Sequence, residues 1–138
     1  MRIQIINGPN LNLLGQREPE IYGELCFEDF LTALRNEFAS DEIDFYQSNV
    51  EGEIINRMQE VDGKCDGIIL NAGGYTHTSV AIHDCIRAIS VPVIEVHISN
   101  IYGREEYRRQ SLLSPVCYGV ICGFGLNSYK LAIHALRA

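Results

Sequence analysis

The chain has 138 residues, a net charge of −7 at pH 7 and a hydrophobic share of 46%. This length fits one compact domain over residues 1–138, and the composition is ordinary for a packed globular protein. No apolar run approaches the roughly 20 residues of a membrane span, and eighteen acidic against eleven basic residues argue against a nucleic-acid surface. The opening residues MRIQII are typical of a strand and lack the features of a secretory signal, so we expect a cytoplasmic protein.

Short apolar runs alternate with stretches of helical spacing along the chain. Runs rich in isoleucine and valine predict strands at residues 2–6, 43–47, 67–70, 93–96 and 119–122. Their continuous apolar character is typical of strands covered on both faces. Apolar residues at three- and four-residue steps, or hydroxyl residues that can cap a first turn, predict helices at residues 27–38, 54–61, 80–89, 104–110 and 127–136.

Strands that alternate with helices predict a parallel sheet with right-handed crossovers. Five strands at this length favour a three-layer, flavodoxin-like α/β fold with strand order 2-1-3-4-5 and helices on both faces of the sheet. One connection, the 17 residues 7–23, is far longer than the usual two to six. It carries Arg17 and Tyr22 between Gly15 and Gly23, and flexible glycine ends indicate a segment that can close over a ligand.

Polar residues follow every predicted strand, at the edge where open parallel sheets bind ligands. Glu95 and His97 are two apart on one strand, so their side chains share a face. A carboxylate there can orient the imidazole and keep it protonated as a general acid, although a strand-end histidine bonded to backbone is the alternative. Asn71 and His77 fit a neutral hydrogen-bonding role toward a substrate, and His77 alone also fits a helix-entry position.

Two further groups of residues indicate an anionic ligand. Arg104, Arg108 and Arg109 lie within six residues of one another, which favours a specific anion site over the alternative of a solvated helix face. The stretch Ile98, Ser99 and Asn100 follows a strand, where exposed N–H groups and hydroxyls can hold a carboxylate.

Tyr22 becomes a useful base only if its pKa falls, which the guanidinium of Arg17 would cause; a tyrosine that merely packs at a rim is the alternative. The five cysteines form no CxxC pair and no metal-ligand spacing, so we expect reduced, mostly buried thiols and no metal site.

Four separated blocks, in order, resemble the type II dehydroquinase (3-dehydroquinate dehydratase) family nearly end to end. They are NGPNLNLLG with REP and YG in residues 7–23, QSN with EG in residues 47–52, NAG with THTS in residues 71–79, and EVHISN with REE and a further arginine in residues 95–108. The chain departs from the family pattern by a slight shortening near residues 40–45 and by Tyr75, where a smaller or aliphatic residue is expected.

The resemblance implies a flavodoxin-like enzyme that assembles as a homo-dodecamer, a tetramer of trimers, and needs neither metal nor cofactor. The implied reaction is anti elimination of water from 3-dehydroquinate through an enolate to give 3-dehydroshikimate. The implied setting is the shikimate pathway of aromatic amino acid biosynthesis, with quinate catabolism as the alternative.

The resemblance also implies roles for individual residues. Tyr22 corresponds to the base, Arg17 to the residue that lowers its pKa, and Asn10 to the holder of a water on the enolate oxygen. His97 corresponds to the acid that protonates the leaving hydroxyl, and Glu95 to its orienting partner. The substrate-binding positions implied are Asn71, His77, Ile98, Ser99 and Arg108, with Asp84 contributed by a neighbouring subunit.

The competing class is a flavodoxin-like small-ligand binding module. A response-regulator receiver requires acidic residues after the first and third strands, where this chain has Asn7 and Asn71. Dinucleotide binding requires a GxGxxG turn, which Gly8-Pro9-Asn10 is not. A flavin carrier is distinguished by its yellow colour.

Overall fold

The computed structural model describes residues 1–14 and 26–138. Five strands form one sheet in this part of the chain: β1 (Arg2–Asn7), β2 (Glu42–Gln47), β3 (Gly67–Asn71), β4 (Val93–His97) and β5 (Gly119–Cys122). All neighbouring strands run parallel, in the order β2-β1-β3-β4-β5. The predicted flavodoxin-like strand order is confirmed, and each strand lies within one residue of its predicted ends.

Helices cover both faces of the sheet, which confirms the three-layer prediction. The described α-helices are α1 (Phe27–Glu37), α2 (Glu51–Val61), α3 (Val80–Ala88) and α4 (Asn127–Arg137). The buried side chains of α1 and α4 belong to one apolar core, and those of α2 and α3 belong to a second core on the opposite face. None of these helices is long and apolar enough to cross a membrane.

The alternation of side chains along β3 shows why the central strands are apolar throughout. Ile69 packs into the core under α1 and α4, whereas Ile68 and Leu70 point into the core under α2 and α3. All three are fully buried, and each contributes roughly 1.5–3 kcal/mol of hydrophobic stabilisation. Because both faces are covered, polar side chains reach a ligand at the ends of the strands, and open parallel sheets bind ligands at the carboxyl ends.

The start of α3 has the predicted hydroxyl cap. The Ser79 side chain accepts a hydrogen bond of 2.9 Å from the backbone N–H of Ile82 and donates one of 2.5 Å to Glu51. Ser79 thereby satisfies a free donor of its own helix and ties it to the first turn of α2.

Two predictions about local structure are wrong. Residues 104–110 do not form a regular helix; three-residue 3₁₀ helices occupy Ile101–Gly103 and Glu106–Arg108. The segment offers no apolar face to bury, since its only large hydrophobic side chain, Tyr107, is exposed. The five cysteines carry free thiols, but only Cys85 is buried and the other four are partly exposed.

The long predicted connection of residues 7–23 lies only partly within the described chain. Its first part forms a 3₁₀ helix at Leu11–Leu13. Residues 15–25, with Arg17, Tyr22 and the two glycines of the expected lid, lie outside the described residues.

Candidate functional site

The carboxyl ends of β1, β3 and β4 open into one pocket. Asn7 pairs with Asn71 across β1 and β3, and β4 ends beside them at His97. Most of the predicted site residues in the described chain line this pocket, together with Arg104 and parts of the neighbouring loops. The lining residues are Pro9, Asn10, Leu11, Asn71, Gly73, Gly74, His77, His97, Ile98, Ser99, Ile101, Arg104 and Arg108.

The loops after β1 and β3 touch so closely that glycine is required at their contact. The Gly8 N–H donates a 2.7 Å hydrogen bond to the Asn71 carbonyl. A Cβ at Gly8 would lie 2.5 Å from the carbonyl oxygen of Ala72, and Gly73 adopts a φ of +59° against Pro9. These contacts fix the pocket floor, and they carry Asn10 to its rim in a left-handed conformation, with a φ of 70°, that asparagine tolerates.

A buried carboxylate–imidazole pair stands at the end of β4. Glu95 is completely buried and His97 is 6% exposed. The His97 Nε2 donates to Glu95 Oε2 across 2.5 Å, so Nε2 carries a proton. The other ring nitrogen, Nδ1, makes no hydrogen bond within the described residues, and the ring lines the pocket. Because Nε2 is already protonated, an additional proton on His97 resides at Nδ1.

Two serines hold the second oxygen of this carboxylate. Ser111 and Ser114 donate to Glu95 Oε1 across 3.1 Å and 2.7 Å. Burial raises the pKa of Glu95, but the hydrogen bond and charge of His97 and the two hydroxyls outweigh it and lower the pKa below its usual value. Glu95 is therefore an anion at neutral pH, and both of its oxygens accept hydrogen bonds.

The hydrogen-bonding direction of His77 is also fixed. Its Nδ1 lies 2.7 Å from the carbonyl oxygen of Gln110, which can only accept. Nδ1 therefore donates, and the Nε2 of a neutral ring is an acceptor. A second hydrogen bond joins the same two segments, from the Leu112 N–H to the Thr76 carbonyl.

The predicted arginine cluster divides between the pocket and the surface. Arg104 and Arg108 line the pocket, whereas Arg109 does not and donates to the Arg104 carbonyl. Arg108 Nε contacts the exposed Glu105 at 2.9 Å, and its guanidinium lies over the Tyr107 ring at 5.2 Å. The pocket therefore carries two guanidinium groups beside backbone and hydroxyl donors, an arrangement suited to an anion.

Some predicted residues lie elsewhere. Asp84 is exposed on α3, where it contacts His83, and it does not line the pocket. The Asn100 side chain accepts from the Tyr102 N–H and so stabilises a turn, and Asn100 does not line the pocket. Tyr75 donates to the Asn49 carbonyl and links the loops after β2 and β3. Arg17 and Tyr22 lie outside the described residues.

Sequence reasoning missed Ser111 and Ser114, and it placed Arg104 in the arginine cluster but not among the substrate-binding positions that the resemblance implies. The serines are 16 and 19 residues beyond Glu95, after irregular chain, so no periodicity connects them to it. Arg104 carried a signal, since it begins the arginine cluster, but a choice among three neighbouring arginines requires the course of the backbone.

Known proteins match this chain over nearly its full length. The family described as Dehydroquinase class II matches residues 1–137. A protein named 3-dehydroquinate dehydratase from Rhizobium johnstonii is 55% identical, covering 98% of this chain and 94% of its own. One of the same name from Nitratiruptor sp. is 54% identical, covering 99% and 89%.

Solved structures agree with the fold and the family. The type II dehydroquinase from Butyrivibrio crossotus has a TM-score of 0.96 and 46% identity, covering 100% of this chain and 98% of its own. The type II dehydroquinase from Propionibacterium acnes has a TM-score of 0.93 and 34% identity, covering 98% and 94%. The chain belongs to the class II dehydroquinase family.

Proposed function

We propose that this protein is a 3-dehydroquinate dehydratase, which removes water from 3-dehydroquinate to give 3-dehydroshikimate. The observation that carries the proposal is the buried Glu95–His97 pair facing a pocket that also holds Arg104 and Arg108. A proton donor beside an anion-binding surface suits a substrate with a carboxylate and a leaving hydroxyl. Family membership and the names of its relatives support the same reaction.

His97 is the proposed general acid. Hydroxide leaves poorly unless it is protonated, so the departing C–O bond takes its electron pair to an oxygen that receives a proton from His97 Nδ1. Glu95 accepts from Nε2, so the proton that leaves is the one on Nδ1 of a doubly protonated ring. As the C–O bond breaks, the enolate re-forms the ketone and its electron pair makes the new C=C bond, so the products are 3-dehydroshikimate, water and a neutral His97 still bonded to Glu95 through Nε2.

Tyr22 is the proposed base and Arg17 its activator, both carried over from the family resemblance. The tyrosinate takes the proton from the carbon next to the ketone, which leaves an enolate. Tyr22→Phe is expected to fold normally, bind substrate and lose nearly all turnover, while Tyr118→Phe, an exposed tyrosine, is the matched control. Near-normal turnover in Tyr22→Phe would exclude this base.

The remaining site residues are proposed to hold the substrate. Asn10, at the pocket rim, is the candidate holder of a water on the enolate oxygen. Asn71 and His77 are proposed to face the ring hydroxyls, and a second set of donors is proposed to receive the carboxylate. That set is Ile98, Ser99 and Arg108, all of which line the pocket.

Assembly and setting complete the proposal. Because Asp84 lies on the exposed surface of α3, it is proposed to reach the pocket of a neighbouring subunit in a dodecamer of four trimers.

We further propose one catalytic domain over residues 1–138 that works in the cytoplasm without cofactor. Its proposed setting is the shikimate pathway of aromatic amino acid biosynthesis, with quinate catabolism as the alternative.

The test of the reaction is direct. Metal-free protein is mixed with 3-dehydroquinate, and the ultraviolet absorbance of the conjugated product is followed. A steady rise that His97→Ala abolishes supports the proposal. No rise with correctly folded wild-type protein overturns it.

A further inference from the structure

Three buried polar side chains form a hydrogen-bonded chain beneath the pocket. They come from β1, β3 and α4: Asn7 and Tyr129 are completely buried and Asn71 is 3% exposed. Asn71 Nδ2 lies 3.1 Å from the Tyr129 hydroxyl, which lies 2.7 Å from Asn7 Oδ1. Only Asn71 of the three lines the pocket. Polar groups buried this deeply are costly unless they are hydrogen-bonded, so the presence of these three side chains requires an explanation.

The direction of every bond in this chain follows from one backbone group. The Gly73 N–H lies 3.2 Å from the Asn71 side chain and can only donate, so the atom facing it is Oδ1. The amide nitrogen of Asn71 must then point toward Tyr129 and donate to its hydroxyl oxygen. The hydroxyl of Tyr129 therefore donates its proton to Asn7, and the Asn7 atom that accepts it is Oδ1. This arrangement leaves Asn7 Nδ2 buried without a partner among the described residues.

Tyr129 is well placed to hold this direction. Its ring packs edge-on against Phe27, with centroids 5.1 Å apart, and tilted against Phe30 at 5.9 Å, which restrains the hydroxyl between the two amides. Burial raises the pKa of Tyr129, and the hydrogen bonds from Asn71 and to Asn7 offset this only in part. The phenol therefore stays protonated at neutral pH and remains a donor to Asn7.

The consequence for the pocket is a fixed orientation of the Asn71 amide. One Nδ2 hydrogen of Asn71 is bound to Tyr129 and one lone pair of its Oδ1 accepts from Gly73, so the second Nδ2 hydrogen is the remaining donor of that amide. An asparagine free to rotate would offer a ligand either a donor or an acceptor. Here the two bonds fix the orientation of the amide, so its free N–H donor keeps one position.

We propose that Tyr129 is a positioning residue that locks the Asn71 amide as an N–H donor toward a substrate oxygen. The proposal rests on the proposed function for the identity of that oxygen, a hydroxyl of 3-dehydroquinate. The locking of the amide in the free protein does not depend on that identity, and this makes two separate measurements possible.

The first measurement follows the Asn71 side-chain amide by ¹⁵N NMR in the free protein. The two Asn71 hydrogens are assigned as the pair missing from Asn71→Ala. In wild-type protein they are expected as a resolved, slowly exchanging pair; in Tyr129→Phe their solvent exchange is expected to rise at least about tenfold, since a bound amide exchanges only when its hydrogen bonds open. Tyr46→Phe, a half-buried tyrosine on β2 that packs on Arg57, is the control. Unchanged exchange in Tyr129→Phe overturns the proposal.

The second measurement is a double-mutant cycle on kcat/KM for 3-dehydroquinate. Tyr129→Phe alone is expected to lower kcat/KM about tenfold, and less than about twofold when Asn71 is already alanine, since interacting residues are non-additive. An equal loss in both backgrounds means a merely structural role for Tyr129 and overturns the proposal.

A second variant protects the test against poor folding of Tyr129→Phe. Asn7→Leu is close in shape, leaves Tyr129 in place and removes the acceptor that directs its proton, so it is expected to raise Asn71 exchange as well. Wild-type protein that turns over no 3-dehydroquinate would overturn the proposed function alone, because the NMR comparison needs no substrate.

Discussion

The end of β4 and the turns that follow it both supply charge to the same pocket, but they hold it differently. At the strand end, Glu95 and His97 are buried, and Glu95 accepts three hydrogen bonds. In the turns, the contacts of Arg108 within the described part of the chain are with the exposed Glu105 and the exposed ring of Tyr107. One charged group is built into the core and the other lies near the surface.

This difference separates two tasks in the proposed reaction. A proton donor must be aligned with its acceptor to within a fraction of an ångström, and burial with filled hydrogen bonds provides that alignment. A guanidinium that recognises a carboxylate can exchange Glu105 for the ligand at little cost, because an exposed ion pair contributes only ~0–1 kcal/mol. Changes at the strand end are therefore expected to alter kcat, and changes in the turns to alter KM.

Glu95→Gln is expected to have the largest effect. The amide can still accept from Ser111 and Ser114, but its NH₂ group would face His97 Nε2, which must then be unprotonated. The ring can then carry a proton only at Nδ1, as a neutral imidazole that is a much weaker acid than an imidazolium, so kcat is expected to fall about 10²–10³-fold with little change in KM. Steady-state kinetics at neutral pH measure both constants.

The matched control for this change is Glu51→Gln. Glu51 also accepts a short hydrogen bond from a serine, Ser79, but it does not line the pocket. It is expected to keep wild-type kcat. A Glu95→Gln enzyme with nearly normal kcat would remove the proposed division between the two regions.

Arg108→Ala is expected to have the next largest effect, on KM. Loss of a charge-assisted contact to the carboxylate costs about 1.4–2.8 kcal/mol, which is roughly 10–100-fold in KM, with kcat changed much less. Arg109→Ala, the adjacent arginine that does not line the pocket, is the control. A loss confined to kcat would show that Arg108 acts on the transition state instead.

The two regions also differ in how far sequence alone reaches. β4 is covered on both faces, so its apolar pattern is strong, and the period of two places Glu95 and His97 together without further information. The turns have no periodicity, and a short helix was predicted where exposed residues form only single 3₁₀ turns. The same limit hid Tyr129, which reads as an ordinary helix residue and bonds to Asn7 across 122 positions of the chain. Such contacts depend on how layers pack, which no local pattern records.

A third expected effect is on stability, and it tests whether the strand-end carboxylate is held as an anion. Ser114→Ala removes the shorter of the two serine hydrogen bonds to Glu95, which costs about 1.5–3 kcal/mol of unfolding free energy at pH 7. The folded-state pKa of Glu95 is lowered, so the stability from its ionised form is present above the unfolded pKa of about 4.3 and is lost as pH falls through the folded pKa. The gap between Ser114→Ala and wild type should therefore shrink below about pH 4.

Urea unfolding at a series of pH values measures this gap. Ser128→Ala is the matched control, because the Ser128 hydroxyl is buried but donates to the His97 carbonyl instead of a carboxylate. Its stability loss should not depend on pH in this range. If the Ser114→Ala gap were equally constant, Ser114 would be bonding a protonated Glu95, and the buried pair at the end of β4 would lack the negative charge that the acid role of His97 requires.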